Sequence, residues 1–61
     1  MSDEQAQLAS VATALDELTD RVTRLAETLT STDEQTSSEL FEIERTLQQA
    51  ARRLERLVRE T

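Results

Sequence analysis

The side chains available for chemistry in this sequence are carboxylates, guanidinium groups and hydroxyls, because its 61 residues include no His, Cys, Lys or Tyr. Ser-His, Cys-His and lysine nucleophile systems therefore cannot be assembled. Disulfides and thiolate or imidazole metal sites are likewise unavailable. Asp16 with Asp20, and Glu39 with Glu42, share helical faces and so could meet Mg²⁺ or Ca²⁺. Both ions need more ligands and more shaping than an exposed helix surface offers, so solvated polar faces are expected there. No catalytic, cofactor or metal residue is assigned, and the chain is not expected to be an enzyme.

Arginine supplies all of the positive charge, and it is unevenly placed. Residues 1–44 hold 2 Arg against 11 Asp and Glu, net −9, whereas residues 45–61 hold 5 Arg against 2 Glu, net +3, giving the formal −6 of the whole. Arg52, Arg53, Arg56 and Arg59 form the one cluster that could contact nucleic-acid phosphates. Overall acidity, the interspersed Glu55 and Glu60, and the lack of an aromatic stacking platform argue against that use. An accessory nucleic-acid-binding protein is thus the alternative reading. The hydroxyls concentrate in Thr30 to Glu39, TSTDEQTSSE, where six Ser and Thr accompany four acidic or amide residues. Helix capping is favoured over phosphorylation for them, since Ser31 with Glu34, Thr32 with Gln35 and Thr36 with Glu39 each match a capping box.

The elements that position these groups follow from hydrophobic spacing. Leu8, Val11, Leu15, Leu18, Val22, Leu25 and Leu29 alternate steps of 3 and 4, the a/d seam of a coiled coil. After the polar stretch, Leu40, Ile43, Leu47, Ala50, Leu54 and Leu57 resume it. Gly and Pro are absent and helix formers abound, which makes a β architecture untenable. Ser2 with Gln5 caps the first helix, expected over residues 3–30, and a second is expected over 38–60, with a polar turn or stutter over about 31–37. The predicted fold is one all-α domain, residues 1–61: an antiparallel two-helix hairpin, coiled-coil-like, dimerising to a four-helix bundle. Its alternative is one long helix with a central stutter that forms an antiparallel coiled-coil dimer.

In reverse order Leu8 pairs with Leu57, Val11 with Leu54, Leu15 with Ala50, Leu18 with Leu47, Val22 with Ile43 and Leu25 with Leu40, all centred between Thr32 and Asp33. These residues and Leu29 are the expected core seam. On its flanks, g residues are polar, with Arg21 able to approach Glu39, while e residues are mostly small. Ala12, Ala26, Ala51 and Val58, extended by Ala9 and the lone aromatic Phe41 at b positions, are the expected partner-binding surface. The function read from this pattern is a small non-catalytic protein-protein interaction or regulatory module. Its expected partner is a second copy or a larger protein. An acidic start without an apolar core, and no apolar run near ~18 residues, point to a cytoplasmic protein without a membrane span.

Overall fold

A computed structural model describes residues 2–61. It contains α1 (Asp3–Leu29) and α2 (Glu34–Glu60), and the two pack against each other as an antiparallel helical hairpin. The chain bends; the uninterrupted helix with a stutter is not what forms. The Cα trace measures 46 × 14 × 10 Å, a single layer two helices wide.

Each helix begins at a side-chain cap. Ser2 accepts a hydrogen bond from the Gln5 backbone N–H at 3.1 Å, as the spacing predicts, satisfying one of the donors that a helix start leaves without a partner. Gln5 does not complete the box, however, because its Nε2 donates across the hairpin to the Val58 carbonyl at 3.2 Å. Asp33, rather than a Ser or Thr, starts α2: its Oδ1 accepts from the Thr36 N–H at 3.1 Å and its Oδ2 from the Thr36 hydroxyl at 2.8 Å. The second helix therefore begins four residues before the expected 38, and Glu34, Gln35, Thr36 and Ser37 become helical.

The turn between the helices uses no positive-φ residue, which explains how a chain without Gly can make it. Thr30 stays helical at φ −53°, ψ −39°, and the Thr32 and Asp33 N–H groups both return to the Leu29 carbonyl, at 3.2 and 2.8 Å. Ala26 loses its usual backbone donor, since the Thr30 N–H turns to Glu27 instead. Its carbonyl is satisfied by hydroxyls: Ser37 Oγ at 2.7 Å from the facing helix and Thr30 Oγ1 at 3.1 Å from its own. Mid-helix threonines are quieted similarly, as Thr13 and Thr19 donate to carbonyls four residues earlier.

The contact line between α1 and α2 differs from the expected seam. The buried residues are Ala12, Thr19 and Ala26 on α1 and Ser37 and Ala51 on α2, all of them e positions at steps of seven or fourteen. Two interhelical hydrogen bonds fix the register, joining Gln5 to Val58 and Ser37 to Ala26. The same register sets Ala12 opposite Ala51 and Thr19 opposite Glu44, which accepts a bond from the Thr23 hydroxyl. The mirror thus centres between Ser31 and Thr32, one residue earlier than the large apolar residues alone imply. Small side chains allow the two backbones to approach closely, and that approach turns the larger residues out of the contact line.

Two outcomes follow. Ala26 is 0% exposed, so Ala26→Leu has no room; it is expected to cost about 1–3 kcal/mol, measured by urea unfolding, while Ala14→Leu on the solvent edge is expected to cost far less. The Thr36 side-chain and backbone hydrogen bonds hold the Asp33 carboxyl below its ordinary pKa. Because the folded pKa is depressed, its stabilisation is present above the unfolded value and is lost as pH falls through the folded one. Asp33→Asn is expected to flatten this acidic part of the thermal-stability profile, whereas Asp33→Ala should lower stability at neutral pH as well.

Candidate protein-interaction face

On a helix, successive a and d residues lie to one side of the e row and b residues to the other. Since α1 and α2 meet along e in antiparallel sense, the a and d rows of both emerge on the same side of the layer. The a residues Leu8, Leu15, Val22, Leu29, Leu40, Leu47 and Leu54 are half-buried at the edge of the contact line. The d residues point straight out: Val11 is 53% exposed and Leu25 51%, with Leu18, Ile43 and Leu57 also exposed and Ala50 beside them. The thirteen residues expected to form the core seam between the helices therefore line one open apolar face instead. The physical reason is size, because the e rows hold the residues small enough for the closest approach.

The face is shaped as well as apolar. Leu18, Arg21, Val22 and Leu25 outline one shallow depression, and Glu4, Gln7, Leu8 and Val11 outline another. Both sets follow i, i+3, i+4, i+7, the diamond of four side chains that receives a knob from a facing helix in coiled-coil packing. Glu39, Glu42, Ile43 and Thr46 outline a third of the same spacing, on the outer edge of α2 beside the face and not on it.

The expected partner-binding set is divided by this fold. Ala12, Ala26 and Ala51 are buried between the helices of the chain itself and are not open to another protein. Ala9 and Val58, with the small exposed part of Ala12, line a groove on the opposite side that Thr13, Asp16, Glu55 and Arg59 border. Phe41 also lies on that b side, 36% exposed, so it is not part of the a/d face. Arg21 and Glu39, expected to approach each other across the seam, stand on opposite outer edges, because g residues point away from the e contact.

Arg52, Arg53, Arg56 and Arg59 are all exposed, Arg53 and Arg56 on the outer edge of α2 and Arg59 on the groove side, with exposed Glu55 and Glu60 among them. Asp16 and Asp20 are exposed, as are Glu39 and Glu42, and among the described residues no group of three or more acidic side chains converges on one point. No described helix is long and apolar enough to cross a membrane. What sequence reasoning missed is Ser37, only 3% exposed, whose hydroxyl joins the helices; its place seven residues before Glu44 and fourteen before Ala51 was the available signal. No family model, curated protein or solved structure matches the chain.

Proposed function

We propose that this protein is a non-catalytic protein-protein interaction module that acts by having its open a/d face covered by other helices. The observation that carries this reading is the placement of Val11, Leu18, Leu25, Ile43 and Leu57 together on one side of the layer, each close to half exposed. Contiguous apolar surface of this kind marks an interaction site, whereas scattered exposed leucines would not. Its knob-receiving depressions favour a helical partner over an extended peptide or a small molecule.

The arginine edge is the rival surface, and the two are separable by substitution. Leu18→Glu with Leu25→Glu removes two half-exposed anchors while leaving the e contact alone. Each loss is worth about 1–2 kcal/mol, so association through this face should weaken roughly a hundredfold or more. Gln48→Glu, an exposed b position on the other side, should leave association unchanged. Analytical ultracentrifugation and in-cell cross-linking read both variants. Equal complexes from the leucine variant and the native chain would sink the proposal, and retention on duplex DNA at low salt that disappears with Arg52→Ala and Arg56→Ala would favour the nucleic-acid reading instead.

A further inference from the structure

Most of the charges bordering the open face complement themselves, with Asp3 level with Glu60 as the like-charged exception. Near the turn, α1 carries Arg21 and Arg24 and α2 carries Glu39 and Glu42; at the open end, α1 carries Glu4 and α2 carries Arg53 and Arg56. These are g, c and d positions, directed away from the partner helix within the hairpin, so the opposite charges are set on the two outer edges of one layer. Placing a second copy face to face exchanges left and right. In the register fixed by Gln5–Val58 and Ala26–Ser37, Arg21 is level with Glu42 and Arg24 with Glu39, and Glu4 lies within one turn of Arg56.

Resting on the reading of the a/d face as the interaction surface, we infer that its occupant is a second copy of this chain, joined by a two-fold axis parallel to the helices. In this four-helix bundle each α1 lies over the other copy's α2, and both turns sit at one end. Self-complementary patches are what a two-fold interface requires. The alternative two-fold, perpendicular to the helices, lays α1 on α1 and α2 on α2 with the turns at opposite ends. It sets two copies of the more acidic helix against each other, since α1 holds six acidic residues to two arginines, net −4, and α2 six to five, net −1. Parallel-axis pairing keeps the α1 helices diagonal to each other, where repulsion is weakest. The area is also adequate: a face 46 by 14 Å between Cα extremes, widened by side chains, covers on the order of 800 Å² per copy, the amount a standard interface buries on each partner.

The chain has no cysteine, so Ser31→Cys in the exposed turn gives a single spin-label site. The expected result is a dimer of the 6.9 kDa chain with one label-to-label distance of about 20–30 Å, from helices packed ~10 Å apart plus the label arms. A distance near the 46 Å length of the hairpin would overturn the arrangement, and a monomer or any larger assembly would overturn it too. A second measurement does not depend on the label. Arg21→Glu with Arg24→Glu should weaken self-association about tenfold, as should Glu39→Arg with Glu42→Arg, and an equimolar mixture of the two variants should restore it. Failure of the mixture to recover would contradict α1-over-α2 pairing. A monomer whose Leu18→Glu, Leu25→Glu form still loses a cross-linked partner overturns the second copy alone; a monomer indifferent to that substitution overturns the interaction face as well.

Discussion

Close approach of α1 and α2 along Ala12, Thr19 and Ala26 is the constraint from which the remaining geometry follows. Two helices that meet over alanine, threonine and serine leave no width between them for leucine, so the leucines must stand beside the contact rather than in it. The hydroxyl of Ser37 on the Ala26 carbonyl then serves two ends at once: it satisfies an acceptor that the helix terminus leaves open, and it ties the helices together one turn from the bend. Gln5 does the corresponding work at the far end through the Val58 carbonyl. Polar bonds between side chains and backbone thus fix the register at both ends of a contact that small apolar residues fill.

That division of labour explains why the molecule has a side. The a and d rows are displaced to the same face because the helices are antiparallel and share the e row as their common edge. Among the described residues the layer buries only Ala12, Ala26 and Ala51 of its apolar side chains, and no large side chain is fully buried. The large d residues stay about half in contact with water, and a covering partner would remove that surface. Covering the face is the process that links shape to the proposed function, and it would give so regular a 3-4 repeat a use.

Much of this was legible in the sequence, and the part that was not has a definite cause. Periodicity specified two helical repeats, and their matching lengths about a polar centre specified antiparallel pairing, favouring a hairpin but also compatible with two continuous helices crossing. Ser2 declared the first cap. Periodicity does not, however, say which row faces inward: Leu18 and Ala12 recur with the same heptad, and the larger residue was read as core because it has more area to bury. The uniform smallness of Ala12, Thr19, Ala26, Ser37 and Ala51 was the contrary signal, readable only if close backbone approach is weighed against side-chain area. Asp33 escaped for a local reason. Two Ser or Thr capping boxes span it and a third follows, and the choice is made by the turn, where the Asp33 N–H returns to Leu29 and leaves its carboxylate aimed at Thr36.

The contact row itself is open to direct chemical trapping, since any disulfide must be introduced and its closure demands Cα atoms within about 7 Å. Ala12→Cys with Ala51→Cys places two thiols across the e rows, while Val11→Cys with Leu54→Cys places them where the large residues alone would pair the helices. Mild oxidation at low concentration, read by intact mass and by mobility on a denaturing gel, is expected to close the first pair within one chain and to leave the second free. Ready intrachain closure of the second pair, with none of the first, would contradict packing along the e rows and the open face with it.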